Sequence, residues 1–180
     1  MEQPQFQLRP AQDTNFEAIQ DIYGHYVLHG LASFEEPPPS ADELRQRWQA
    51  IKDQGLPYIV AVDGPDQTIL GYAYVSPYRS RPAYRHSVEN SVYVAPHAQR
   101  RGVGRAMLLR LINDCEHLGW VRQMIAIIGD NANLASKSLH AELGFRDVGV
   151  FQSVGFKHGG WVDTMLMQRA IGAGNDTSPK

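Results

Sequence analysis

Cysteine is almost absent from this sequence, as are the features that mark membrane and secreted proteins. The 180 residues include one cysteine, Cys115, which cannot form an internal disulfide bond. Its position on the apolar face of a predicted helix favours a buried structural thiol over a nucleophile. No apolar run is long enough to span a membrane, and the first ten residues lack the pattern of a signal peptide. We therefore expect a cytoplasmic protein with no membrane contact.

The sequence also lacks an excess of charge of either sign. Lys and Arg total 17 against 19 Asp and Glu, for a formal net charge of -2. This balance argues against a nucleic-acid binder with a basic surface, so any anion site must be local. The chain is long enough for one domain with a sizeable core, which we place at residues 1–171. The end of the chain is rich in Gly, Asn, Thr, Ser and Pro, so we expect a disordered tail at 172–180.

One stretch, from Val88 to Arg105, combines a strand with a basic, glycine-containing turn. The β-branched segment Val88 to Val94 predicts a strand that ends at Ala95 and Pro96. The turn that follows, Gln99 to Gly104, reads Q-R-R-G-V-G and leads directly into an amphipathic helix. Glycines allow backbone N–H groups to approach a ligand, and a helix N-terminus attracts anions. The pattern therefore predicts a phosphate-binding site, although a glycine-rich helix start with solvated arginines would look the same.

The rest of the chain has a regular alternation of helical and extended patterns. Two helices precede a hairpin, and a nearly all-apolar run after the central helix is typical of an inner parallel strand. The predicted order is β-α-α-β-β-β-α-β-α-β-β. The predicted strands are Phe6 to Leu8, Tyr58 to Val62, Ile69 to Val75, Val88 to Val94, Met124 to Ile128, Phe145 to Val150 and Trp161 to Gln168, with a flexible connection at Gly155 to Gly160.

Two motifs in this order resemble those of the GNAT superfamily of acetyl-CoA-dependent N-acetyltransferases. The Q-x-x-G-x-G turn is similar to its pyrophosphate-binding signature, and Asn133 to Phe145 is similar to its second motif, N-x-x-A/S-x-x-L-Y followed by G-F. The resemblance implies an α/β (α+β) fold with a mixed, mostly antiparallel sheet, one splayed parallel strand pair and flanking helices. The segments Val88 to Val94 and Val154 to Asp163 resemble the phosphinothricin and methionine sulfoximine N-acetyltransferase group.

The resemblance implies two catalytic residues. Strand alternation places Glu89 on one face with Ser91 and Tyr93, and the family's catalytic glutamate corresponds to Glu89. This carboxylate would take a proton from the amine, directly or through a water. His140 stands where many members have a tyrosine, and it would protonate the leaving thiol or assist deprotonation of the amine. No metal ion is expected in the site.

The same resemblance implies how the two substrates are held. Acetyl-CoA would lie between the splayed strands, with its phosphates at the Q-x-x-G-x-G turn. A small amino-acid-like substrate would be held by arginines just before the catalytic strand, although solvated arginines in a surface loop are an equally simple interpretation. The implied cofactor-binding residues are Val92, Tyr93, Val94, Gln99, Arg100, Arg101, Gly102, Val103, Gly104, Arg105, Asn133 and Ser136, and the implied substrate-binding residues are Phe34, Glu35, Arg79, Arg81 and Tyr84.

The sequence leaves other functions open. Acetylation of peptide N-termini or other amines would use the same cofactor half of the site. A CoA-binding module without catalysis is a third possibility, although the presence of both Glu89 and His140 argues against it. Members of the resembling group are commonly dimers, so we also expect a homodimer.

Overall fold

The computed structural model describes residues 6–130 and 133–179. Its helices are α1 (Phe16–His29), α2 (Ala41–Asp53), α3 (Val103–Leu118) and α4 (Leu134–Glu142). Its strands are β1 (Phe6–Pro10), β2 (Tyr58–Asp63), β3 (Thr68–Pro77), β4 (Ser87–Val94), β5 (Gln123–Gly129), β6 (Arg146–Lys157) and β7 (Gly160–Ala170). This order confirms the predicted alternation and the α/β class with a mixed sheet. Among the described residues, no helix has both the length and the apolarity to cross a membrane.

The seven strands form one sheet in the order β1-β2-β3-β4-β5-β7-β6. All neighbouring pairs are antiparallel except β4 and β5, which α3 connects. The parallel pairing runs only from Ser87 opposite Gln123 to Asn90 opposite Ala126. Beyond Asn90, β4 continues beside β3 while β5 continues beside β7, so a gap opens in the middle of the sheet. The predicted splayed pair is thus present.

The helices cover both faces of the sheet. On one face Tyr93 packs against Tyr23 and Tyr26 of α1. Because side chains alternate along a strand, Val92 and Val94 lie on the other face, against the first turn of α3. The apolar side of α3 is buried at the residues that its periodicity predicts, including Cys115. Burial raises the pKa of Cys115 to about 12, so this side chain is a neutral structural thiol.

The β6–β7 hairpin is longer than the sequence patterns predict. β6 continues to Lys157, and only His158 and Gly159 form the turn, so the prediction of a flexible connection from Gly155 was wrong. Both turn residues have positive φ, 51° and 78°, as a two-residue hairpin turn of type I′ requires. Glycines within β6 concealed the strand, because they are usually strand breakers.

The chain after β7 makes several contacts with the domain. The N–H of Gly174 donates to the carbonyl of Ile171, and Arg122 donates to the carbonyl of Ser178. Disorder of the tail at 172–180 stays a prediction, and Lys180 lies outside the described residues, as do residues 1–5 of the predicted domain.

Candidate active site

A cavity of about 580 Å³ occupies the gap between β4 and β5. Its walls come from the diverging halves of both strands, from the turn before α3, and from one side of α4. The cavity therefore joins the two motifs that are separate in the sequence. Of the residues predicted to bind the cofactor, it is lined by Val92, Tyr93, Val94, Gln99, Arg100, Gly102, Val103, Gly104, Arg105, Asn133 and Ser136.

The turn before α3 has the backbone shape of an anion-binding site. Arg100 and Gly102 both have positive φ, 63° and 78°, and the first intrahelical hydrogen bond runs from Ala106 N–H to the Gly102 carbonyl. The preceding N–H groups of the helix thus have no carbonyl of their own helix to bind. Such N–H groups at the positive end of a helix suit a phosphate. A Cβ at Gly102 would meet nothing within 4 Å, so the space beside the turn is open to a ligand.

Arg101 differs from the other residues of this turn. Its guanidinium lies 2.8 Å from the Asp63 carboxylate on β2, and the side chain is not part of the cavity wall formed by the described residues. The structure therefore directs Arg101 to β2 and leaves Arg100 and Arg105 as the arginines that face the cavity.

The edge of β4 that faces the gap presents backbone groups at alternate residues. The N–H of Ala95 donates to the Leu70 carbonyl at 2.8 Å, which fixes the phase of pairing with β3. Because hydrogen-bonded and non-bonded pairs alternate in an antiparallel ladder, Tyr93 also bonds to β3, whereas Val92 and Val94 point into the gap. The Tyr26 hydroxyl reaches the Val94 carbonyl there, at 2.6 Å. The backbone groups of Val92 and Val94 are therefore placed to form hydrogen bonds with an extended ligand in the gap.

Glu89 lies two residues before Ser91, on the same face of β4. It is partly buried, and this burial raises the pKa of its carboxyl group above the usual value. A carboxylate with a raised pKa is a stronger base than an ordinary glutamate. Glu89 is not part of the cavity wall among the described residues, but its neighbours Asn90 and Ser91 are.

His140 lies on α4 at the other side of the gap and is buried. Its Nε2 is 3.0 Å from Asn90 Oδ1, and its Nδ1 is 2.8 Å from the Ser136 carbonyl oxygen. Burial lowers the pKa of the imidazole, and the hydrogen bond to Ser136 opposes this shift. Asn133 caps the same helix by accepting a hydrogen bond from the Ser136 N–H at 3.1 Å.

The predicted substrate-binding residues lie in two segments outside the cavity wall. Phe34 lies against Gly155, where an added Cβ would collide with its ring, and beside Gly129, where an added Cβ would lie 3.1 Å from it. Glu35 accepts hydrogen bonds from Tyr23, at 2.9 Å, and from Arg47, at 2.6 Å. Burial opposes ionisation of Glu35, but Arg47 and Tyr23 outweigh it and lower the pKa of the carboxyl group.

The second segment is the loop between β3 and β4. The guanidinium of Arg79 stacks on the rings of Tyr78 and Tyr84, at 5.1 and 5.9 Å from their centroids. Arg81 is exposed beside them, at the start of a single 3₁₀ turn. Neither arginine nor Tyr84 belongs to the cavity wall in the described part of the chain.

Sequence patterns did not single out Asn90 or Tyr26 as site residues. Asn90 shares the strand face of Val88 and Val92 and is only 6% exposed, so a polar residue within an apolar stripe was the available signal. The contact of Tyr26 with the site could not be predicted, because its hydroxyl donates to the backbone carbonyl of Val94, 68 positions away.

Comparison with known proteins agrees with this geometry. The model of the acetyltransferase (GNAT) family matches residues 17–145. The chain therefore belongs to the GNAT family, whose members are acetyltransferases that use acetyl-CoA. Across 96% of this chain and 86% of the relative, it is 51% identical to phosphinothricin N-acetyltransferase of Alcaligenes faecalis. Across 89% of this chain and 92% of the relative, it is 37% identical to an L-methionine sulfoximine/L-methionine sulfone acetyltransferase of Salmonella typhimurium.

A solved structure shows the same architecture. The GNAT superfamily phosphinothricin acetyltransferase of Sinorhizobium meliloti, in complex with acetyl-CoA, superposes with a TM-score of 0.93 and 44% sequence identity. The alignment covers 98% of this chain and 94% of that protein.

Proposed function

We propose that this protein transfers the acetyl group of acetyl-CoA to the α-amine of a small amino-acid-like substrate of the phosphinothricin, methionine sulfoximine or methionine sulfone type. One observation carries the proposal. The cavity beside β4 extends from Asn90 and Ser91, the neighbours of the raised-pKa carboxyl group of Glu89, to the turn at Gln99 to Arg105. The names of the two relatives support the substrate class.

In the proposed reaction, Glu89 removes a proton from the substrate amine, directly or through a water. Acetyl-CoA supplies a thioester whose carbonyl carbon is attacked by the neutral amine. The backbone N–H of Val94 points into the gap and stabilises the charge that develops on the carbonyl oxygen. The N–H of the neighbouring Tyr93 is hydrogen-bonded to β3 instead. His140 protonates the leaving thiol or assists deprotonation of the amine.

The proposed cofactor site follows the cavity wall. The turn at Gln99 to Arg105 binds the phosphates through backbone N–H groups, with Arg100 and Arg105 adding positive charge. Val92 and Val94 bind the pantetheine arm, and Asn133 and Ser136 lie along its opposite side. Arg101 contributes backbone only, because its side chain is paired with Asp63.

The proposed substrate site lies on the Glu89 face of the sheet. Arg79 and Arg81 supply positive charge for a carboxylate or phosphinate, and Tyr84 holds Arg79 in place by stacking. Phe34 forms the opposite wall, and Glu35 fixes the loop that carries it through its bonds to Tyr23 and Arg47.

We also propose a homodimer whose interface includes the outer face of the β6–β7 hairpin. β6 is the edge strand of the sheet, and large apolar side chains are exposed along it and on Trp161 of β7. The rings of Phe156 and Trp161 contact each other at 5.2 Å, and exposed apolar side chains of this size are typical of a surface that a second copy covers with the same surface in return. The exposed side chains are Val148, Val150, Phe151, Val154, Phe156 and Trp161. Light scattering should give twice the chain mass, and Trp161→Ser should shift it toward the monomer.

The cytoplasm is the proposed location, because the sole cysteine is a buried thiol and the cosubstrate is a metabolic thioester.

A panel of amines tests the function. CoA release from acetyl-CoA should be fastest with phosphinothricin, methionine sulfoximine or methionine sulfone, and slower with ordinary amino acids and short peptides. Faster release with peptides would replace the proposed substrate class. CoA binding without release for any amine would instead identify a binding module.

A further inference from the structure

Asn90 occupies the point at which the two parallel strands separate. It is the last residue of β4 that pairs with β5, opposite Ala126, and it is 6% exposed. Its Nδ2 donates to the Ile125 carbonyl on β5 at 3.1 Å, and its Oδ1 lies 3.0 Å from Nε2 of His140. One side chain therefore bridges the fork of the sheet and contacts the predicted catalytic histidine.

The contact with Ile125 fixes the orientation of the Asn90 amide. A backbone carbonyl can only accept, so the NH₂ group must face Ile125 and the amide oxygen must face His140. That oxygen also can only accept, so Nε2 of His140 must carry a hydrogen in order to donate to it. The other amide orientation would place two acceptors against each other at Ile125.

Within the described part of the chain, the second ring nitrogen of His140 has two polar contacts, both with Ser136. Nδ1 is 3.5 Å from the Ser136 hydroxyl and 2.8 Å from the Ser136 carbonyl. When the ring is neutral, Nδ1 can accept from the hydroxyl. When the ring is protonated, Nδ1 can donate to the carbonyl. In the neutral ring Nδ1 also faces the Ser136 carbonyl oxygen at 2.8 Å with no hydrogen between the two acceptors, so this contact favours the protonated ring, whereas the bond from Nε2 to Asn90 is the same in both charge states.

We propose that Asn90 is a positioning residue that holds a proton on Nε2 of His140 and leaves Nδ1 as the nitrogen that gains and loses a proton. Among the described residues, the groups that face the ring are Asn90 from β4, Ser136 from α4, and Phe145, whose ring lies edge-on at 4.9 Å. None of the three carries a charge, so hydrogen bonding and burial determine the tautomer and the pKa of the imidazole. Asn90, Ser136 and His140 all line the cavity, so the whole network borders the space proposed for the ligand.

Imidazole ¹⁵N spectra test the tautomer without substrate or turnover. The His140 signals are identified by their loss in His140→Gln. In the otherwise unchanged protein, neutral His140 should be the Nε2–H tautomer, and an Nδ1–H tautomer would overturn the proposal. In Asn90→Leu the new side chain has a similar shape but no acceptor for Nε2–H. The proton of neutral His140 should therefore move to Nδ1, where it can be donated to the Ser136 carbonyl. Ser91→Ala, one residue along and on the other face of β4, should leave the tautomer unchanged.

A pH titration of the same signals gives a second readout. Asn90→Asp retains an acceptor for Nε2–H and adds a negative charge beside the ring, so the pKa of His140 should rise. An unchanged or lower pKa in a folded Asn90→Asp protein would show that this side chain does not contact the imidazole as described.

The kinetic consequence rests on the acetyl transfer proposed above. A catalytic histidine in the wrong tautomer can lose up to about 10⁴-fold in turnover, so Asn90→Leu should lower kcat by about tenfold or more. The limb of the kcat–pH profile that reports His140 should move upward in Asn90→Asp. Full turnover in His140→Gln would refute the catalytic role of His140, whereas an Nδ1–H tautomer would refute the role of Asn90 alone.

Discussion

Replacing Glu89 by glutamine should separate chemistry from cofactor binding. Glutamine keeps the shape of the side chain but cannot accept the amine proton. A positioned general base contributes about 10²- to 10⁴-fold to rate, which is about 3 to 5 kcal/mol of barrier. Glu89→Gln should therefore lower kcat by that factor. Acetyl-CoA affinity should change little, because the cavity wall includes the neighbours of Glu89 but not Glu89 itself.

The same substitution should stabilise the fold at neutral pH. Burial raises the pKa of Glu89 in the folded protein, so the charged form is disfavoured there relative to the unfolded chain. This cost is absent below the unfolded pKa of about 4.3. It grows as pH rises through the folded pKa and is complete above it. The Tm of Glu89→Gln should thus exceed that of the unmodified protein at pH 7 and match it at low pH.

Three measurements test these effects of Glu89→Gln. Steady-state kinetics gives kcat, calorimetric titration gives the affinity for acetyl-CoA, and thermal denaturation across pH gives Tm. Glu17→Gln is the matched control, because this exposed glutamate on α1 pairs with Arg45 outside the cavity. It should leave turnover unchanged. Equal turnover in Glu89→Gln would remove Glu89 from the mechanism, and a Tm difference that shrinks with rising pH would refute the burial argument.

Three further substitutions test the turn before α3, the loop between β3 and β4, and the contact of α1 with β4. Gly102→Ala should lower the free energy of unfolding by about 1 to 2 kcal/mol in chemical denaturation, because φ is 78° there and the added methyl meets no protein atom; an unchanged value would contradict the backbone conformation. Arg81→Ala should raise KM for an acidic amino acid more than it changes kcat, and an unchanged KM would show that Arg81 does not contact the substrate. Arg110→Ala is the control, because Arg110 on α3 pairs with Asp114 and is not part of the described cavity wall. Tyr26→Phe should cost about 1 kcal/mol of unfolding free energy, because the Val94 carbonyl loses its donor, and full retention of stability would show that the bond contributes nothing.

The order of the elements was predictable because most of them bury one regular face. The apolar positions of α3 recur at helical spacing, and the β5 run buries Met124, Ala126 and Ile128 on one face, although Ile127 on the other face is exposed. The predicted length of β6 was too short at its C-terminal end, because Gly155 and the exposed side chains around it do not alternate between apolar and polar residues. Its apolar residues face outward rather than into the core.

The residues of the site were predictable only where a motif or strand alternation locates them. The turn at Gln99 to Gly104 and the placement of Glu89 follow from local sequence. The contacts of Asn90 with Ile125 and His140, and of Arg101 with Asp63, join residues 35 to 50 positions apart. Such pairs depend on the register between strands, which spacing along one segment does not encode.

The most direct test of the proposed reaction follows the acetyl carbon itself. Acetyl-CoA labelled with ¹³C at the acetyl carbonyl is mixed with the protein and methionine sulfoximine or phosphinothricin, and the carbonyl signal is followed by NMR. The signal should move from the thioester to an amide on the substrate α-nitrogen, and it should do so far more slowly with Glu89→Gln. A signal that remains thioester, or that appears only as free acetate, would contradict acetyl transfer by this site.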